Sequence, residues 1–122
     1  MSSFVNDGRV AVWNRAVVRD QAEFLRRYEE RFRTIVEVEP ETELYVVGVG
    51  ADEIVKPGED ANVYFFEVFK DAAAAKFHVE NPDAMAAKSL WWDDLLVERN
   101  VIRINPIWAK GMSDVGPARW LR

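Results

Sequence analysis

The 122-residue sequence contains no cysteine and only one histidine, His78. The missing thiols exclude disulfides, thiolate metal sites, iron–sulfur ligation and cysteine nucleophiles. A lone imidazole excludes multi-histidine metal centres and any mechanism that needs two imidazoles per chain. Basic residues are also scarce: 16 Lys and Arg stand against 21 Asp and Glu, a formal net charge of −5. No basic run interrupts this acidic average, so nucleic acid is not an expected partner. No apolar run approaches the roughly 20 residues of a membrane-spanning helix. The first eight residues lack the charged and apolar regions of a signal peptide. A cytoplasmic protein without membrane contact is the expectation.

Apolar and aromatic residues are abundant. They make up 49% and 12% of the chain, with five Trp and seven Phe. A chain of this length forms one domain and buries roughly two thirds of its unfolded surface.

The hydrophobic pattern orders the elements. From Arg9 to Arg19 a two-residue period predicts a strand, with Val10, Val12, Asn14, Ala16 and Val18 on one face and Trp13, Arg15 and Val17 on the other. Asp20 then caps a helix, with Glu23 three residues on as in a capping box. Leu25, Tyr28, Phe32, Ile35 and Val36 form its apolar stripe, and Arg26, Arg27, Glu29, Glu30 and Arg31 are expected on a solvated face. The helix ends before Pro40. Leu44–Ala51 and Asn62–Phe69 read as a strand pair, joined by an exposed loop that contains Pro57-Gly58. Asp71 opens a second helix, Ala72–His78, and Asn81-Pro82 starts another that runs through Met85, Leu90, Trp91 and Leu95. Asn100–Ala109 reads as the last strand, with Pro106 at an edge or bulge. A tail, Lys110–Arg122, follows.

The order βαββαβ predicts an α+β, ferredoxin-like domain: a four-stranded antiparallel sheet with both helices on one side. Val18-Arg19-Asp20-Gln21-Ala22 and Phe69-Lys70-Asp71-Ala72-Ala73 echo one another at the two strand-to-helix junctions. The face carrying Trp13 and Val17 is left without a cover, which predicts a homodimer packed sheet against sheet, with Trp120-Leu121 of the tail reaching across.

The gap between sheet and helices is the expected pocket. Asn14 lies on an apolar face and needs a partner or a ligand. Glu67 shares a strand face with Phe65 and Phe69, and His78 faces the same gap from the second helix. A carboxylate and an imidazole meeting there can form an acid/base pair. Trp91 and Trp92 are adjacent on a helix, so one of them is expected inside. Other motifs are incomplete. Gly48-Val49-Gly50 lacks a third glycine and a following helix, and Asp93-Asp94 diverge by about 100° on a helix, which disfavours a metal dyad.

Phe66-Glu67-Val68-Phe69-Lys70-Asp71, Phe77-His78, Asn81-Pro82 and Val12-Trp13-Asn14-Arg15 resemble the central and first-strand motifs of the antibiotic biosynthesis monooxygenase domain. The resemblance spans about residues 9–109. It implies a dimeric α+β barrel that oxidises quinols, anthrones or related phenolic aromatics with O2 and with no cofactor or metal. In such chemistry a base deprotonates the substrate, and the resulting carbanion reduces O2. The resemblance casts His78 as the base, Glu67 as its orienting partner and Asn14 as the ligand of a substrate oxygen. Phe65, Phe69, Met85 and Trp91 would form the substrate-binding wall. Phe69 stands where anthrone oxygenases of the family have a Trp, so the indole donor is absent. Haem-degrading relatives need an axial His where this chain reads Ala86-Ala87-Lys88.

Two alternatives use the same fold. One is a non-catalytic dimeric barrel that binds a small apolar ligand. The other is an isomerase or lyase using the same base without O2.

Overall fold

The computed structural model describes residues 8–107. Strand β1 (Val10–Val18) leads into helix α1 (Gln21–Val38), followed by β2 (Thr42–Gly48) and β3 (Ala61–Phe69). Helix α2 (Ala72–Glu80) comes next, then α3 (Pro82–Ala87). The chain continues from α3 through a π-helical segment, Lys88–Trp92, and a last turn, Asp93–Leu95, into β4 (Leu96–Ile104). All neighbouring strands are antiparallel, in the order β2-β3-β1-β4. This is the ferredoxin-like βαββαβ arrangement that the element order predicts.

Register decides which side chains meet. Asn14 lies opposite Phe65 on β3 and Val101 on β4, and Tyr45 of β2 lies opposite Glu67. With a period of two, Val12, Asn14, Ala16 and Val18 share the helix-covered face with Val63, Phe65, Glu67 and Phe69. The core there joins Ala16, Val18, Val63 and Phe65 to Phe24, Tyr28, Trp91 and Leu95.

Both helix starts use the capping aspartates. Asp20 accepts from the Glu23 amide at 3.2 Å and Asp71 from the Ala74 amide at 2.8 Å. Asp20 sits in the left-handed region (φ 49°), which Asp tolerates better than most residues. Its carboxylate also takes the Gly58 amide and ties the β2–β3 loop to the helix. The reciprocal half of the expected capping box is not formed, because the Glu23 carboxylate binds Arg26 and Arg27 instead.

Several boundaries and faces differ from the sequence reading. The buried stripe of α1 is Gln21, Phe24, Tyr28, Arg31 and Ile35, while Phe32 and Val36 are exposed. The stripe is thus rotated onto two polar residues that find partners. Gln21 donates to the Asn62 carbonyl at 2.7 Å and accepts from the Lys56 amide at 2.8 Å. Arg31 is buried rather than solvated, for reasons given below. Strand β2 starts at Thr42 and stops at Gly48. Strand β4 starts at Leu96 and ends before Pro106, since Leu96–Glu98 already pair with the end of β1 across a bulge at Val17/Val18. Trp120-Leu121 and the remainder of the tail lie outside the described residues.

Candidate functional site

A cavity of about 730 Å³ lies between the sheet and the helices. Asn14, Phe65, Glu67, Phe69, His78, Met85 and Trp91, the seven residues singled out in the sequence, all line it. Phe65 and Phe69 are buried in its wall, and Met85 is half exposed at its rim. Trp92 lines it as well as Trp91, with ring centroids 5.9 Å apart and both rings 5.3 Å from Phe24. The expectation that only one Trp reaches inward fails because the segment is π-helical: the Asp93 amide donates back to the Lys88 carbonyl. The wider turn reduces the angle between consecutive side chains, and such bulges are frequent at functional sites.

His78 is buried on α2 between two carboxylates. Its Nδ1 is 2.7 Å from Oε1 of Glu39, and its Nε2 is 3.4 Å from Oε1 of Glu67. The shorter contact, with an ionised carboxylate that can only accept, assigns Nδ1–H as donor to Glu39 over the 3.3 Å approach of Arg31 Nη2 to the same nitrogen, and a neutral imidazole then keeps its Nε2 lone pair on the Glu67 side. Phe69 packs against the imidazole at 5.1 Å between centroids and Tyr45 at 5.3 Å.

Glu39 was not legible as a site residue. It is the residue following α1, immediately before Pro40, in a stretch where Glu37, Glu39, Glu41 and Glu43 alternate with other residues and nothing local distinguishes one from another. Only the fold does so. Its carboxylate accepts from Arg31 at 2.8 Å, Thr42 at 2.9 Å and Asn81 at 3.1 Å, in addition to His78. Arg31 also donates to the His78 carbonyl at 2.9 Å. For Arg31 a signal existed: it follows Tyr28 by three residues and precedes Ile35 by four, which places it on the buried stripe.

The two carboxylates are driven in opposite directions. Burial pushes Glu39 up, but the hydrogen bond and charge of His78 and those of Arg31 outweigh it and bring its pKa down to about 2. Burial also pushes Glu67 up, and there it prevails over the pull of His78, Arg99 and Arg31. Glu39 is therefore a fixed anion, whereas burial raises the proton affinity of Glu67 beside Nε2. Two carboxylates with separated proton affinities thus stand on either side of one imidazole.

Two further groups face the cavity. The Asn14 Oδ1 atom is buried with no hydrogen-bond partner. Tyr28 and Tyr45 hydrogen-bond to each other through their hydroxyls. Burial raises both phenols above their ordinary range, so both stay protonated at neutral pH. One O–H of the pair remains available to donate. Among the described residues, no group of three or more His, Cys, Asp or Glu is placed to hold a metal ion, and no helix is long and apolar enough to cross a membrane.

Sheet order, helix placement and cavity together define a ferredoxin-like domain with a pocket on the helix-covered face of the sheet. No protein-family model matches the sequence, and no curated protein does. Solved structures do match. A candidate antibiotic biosynthesis monooxygenase of Nitrosomonas europaea superposes with a TM-score of 0.70 at 16% identity, over 88% of this chain and 98% of that one. SnoaB, a cofactor-independent oxygenase of Streptomyces nogalater, gives 0.61 at 16% identity, over 78% and 91%. A dimeric protein of unknown function and ferredoxin-like fold from Bacteroides fragilis gives 0.64 at 17%, over 83% and 99%. The chain has the fold of the antibiotic biosynthesis monooxygenase domain.

Proposed function

We propose that this protein is a cofactor-independent monooxygenase that oxidises a quinol-, anthrone- or phenol-like aromatic with O2. The observation that carries the reading is the buried Glu39–His78–Glu67 array at the wall of an aromatic cavity. The substrate's own electrons reduce O2, so the protein need supply only a base, oxyanion donors and a dry cavity. His78 removes the substrate proton at Nε2, and Glu39 stabilises the imidazolium that forms, as the carboxylate does in a triad. Glu67 takes up or returns the proton. The Asn14 amide binds a substrate oxygen, and the free O–H of the Tyr28–Tyr45 pair stabilises the enolate or phenolate. The carbanion then adds O2, and loss of water from the hydroperoxide leaves the new carbonyl. Phe65, Phe69, Met85 and Trp91 form the apolar wall.

The distance between His78 and Glu67 and the open cavity both weigh against an inert barrel, in which the two side chains would diverge and apolar residues would fill the space. The reading also includes a homodimer. The outer sheet face exposes Trp13, Val46, Ile102 and Ile104, and sheet-to-sheet pairing would cover them.

Oxygen consumption with a panel of quinols and anthrones tests the activity. Uptake with at least one of them, without a requirement for flavin or metal, is expected. Turnover that proceeds equally well without O2 would instead assign the base to an isomerase or lyase.

A further inference from the structure

The charge of the cavity is opposite to that of the chain. The protein is acidic overall, yet the cavity is lined by five cationic residues, Arg31, Lys76, Lys88, Arg99 and Arg103, against two carboxylates, Glu67 and Glu80. Arg31 is neutralised by Glu39. The other four form no ion pair among the described residues, although the charge of Arg99 acts on Glu67, and four cations against two carboxylates leave a positive excess. The cationic excess therefore faces the ligand space.

Its placement is specific. On the edge strand β4 the two-residue period puts the exposed residues Arg99, Val101 and Arg103 on the cavity side of the sheet, with Arg99 opposite Ala16, Val101 opposite Asn14 and Arg103 opposite Val12. The two guanidinium-bearing residues thus flank the strand position of Asn14, each two residues away, and their Cα atoms lie about 13 Å apart. Asn14 supplies the second, independent sign of a ligand: its buried Oδ1 is an acceptor without a donor. An amide oxygen in that state matches a hydroxyl group, and unpaired arginines match an oxyanion, which they bind in forked, charge-assisted geometry.

We propose that the cavity takes an anionic hydroxyaromatic, with its hydroxyl group on Asn14 and a carboxylate or other oxyanion on Arg99 and Arg103, and with Lys76 and Lys88 adding to the field at the rim. The proposal rests on the reading of this cavity as the substrate site, and it narrows the substrate class. A neutral quinol would leave the cations unused, whereas an anionic one is drawn into a positive cleft on an otherwise repelling surface.

Calorimetric titration separates this proposal from the oxygenase reading, because binding needs no turnover. The ligands are 2-naphthol, 6-hydroxy-2-naphthoate and 6-hydroxynaphthalene-2-sulfonate, with the last two distinguishing carboxylate from sulfonate. At low salt the anionic ligands are expected to bind on the order of tenfold tighter than 2-naphthol, with an advantage that shrinks as NaCl is added. In the R99Q/R103Q double variant the advantage falls to within about threefold while 2-naphthol affinity is kept, which also shows that the pocket is intact. A K76Q/K88Q variant reduces the salt dependence without abolishing the preference. Equal affinity for neutral and anionic ligands, no binding of any of them, or an undiminished preference in R99Q/R103Q overturns the proposal. Oxygen uptake with neutral quinols alone would uphold the oxygenase reading and overturn this one. Anion-selective binding without oxygen uptake would do the reverse.

Discussion

Glu39, with its side chain almost completely buried, accepts hydrogen bonds from four residues: Arg31, Thr42, His78 and Asn81. Such an anion stabilises the fold only while it is ionised and paired. Its folded pKa of about 2 lies below the ordinary carboxylate value of 4.5. The contribution is therefore fully present above about pH 4.5 and is lost as the pH falls from there towards 2, on the order of 3 kcal/mol in all. Urea midpoints measured across this window are expected to fall steeply for the native protein and less steeply for Glu39→Gln. Removing Arg31 is more damaging than removing an ordinary surface arginine, because it leaves the Glu39 charge buried with less compensation. Arg31→Met is expected to cost about 3–5 kcal/mol at pH 7, measurable by urea denaturation, and a loss below 1 kcal/mol would mean that the pair is solvated.

At the scale of elements, strands and helix starts were legible because each depends on local chemistry. Val10–Val18 alternates, Asp20 and Asp71 cap, and Asn81-Pro82 begins a helix. The π-helical segment was not legible, since its extra residue is set by how Trp91 and Trp92 pack on Phe24. The candidate site divides the same way. Asn14, Glu67 and His78 stand out because each is polar in apolar surroundings, whereas Glu39 owes its role to the α1–β2 junction meeting α2. Asn81 shows how one residue serves both levels. Its Oδ1 caps α3 through the Ala84 amide at 3.0 Å, and its Nδ2 donates to the Phe77 carbonyl at 2.9 Å and to Glu39. Asn81→Ala is thus expected to cost about 2–3 kcal/mol, against about 1 kcal/mol for Asp71→Ala, where the carboxylate serves as a cap. Equal losses in thermal or urea unfolding would show that the bond to Glu39 contributes nothing.

At the scale of the whole molecule, the sheet has two contrasting faces. One bears the Glu39–His78–Glu67 array and the cavity. The other carries Trp13, edge-on to Phe66 with ring centroids 5.3 Å apart, amid exposed Val46, Ile102 and Ile104. A carboxylate in the middle of this patch would be desolvated by a second sheet. Sedimentation equilibrium at micromolar concentration is expected to give a dimer for the native chain and a monomer for Trp13→Glu. A native monomer would remove the dimeric part of the account.

His78, oriented by Glu39, is proposed as the base of an oxygen-consuming reaction. The most direct measurement is the rate of oxygen uptake with an active quinol or anthrone, compared between the native protein and a His78→Ala variant whose fold is verified by circular dichroism. His78→Ala is expected to lose about 10²- to 10⁴-fold in kcat. Unchanged oxygen uptake in the folded variant would contradict it.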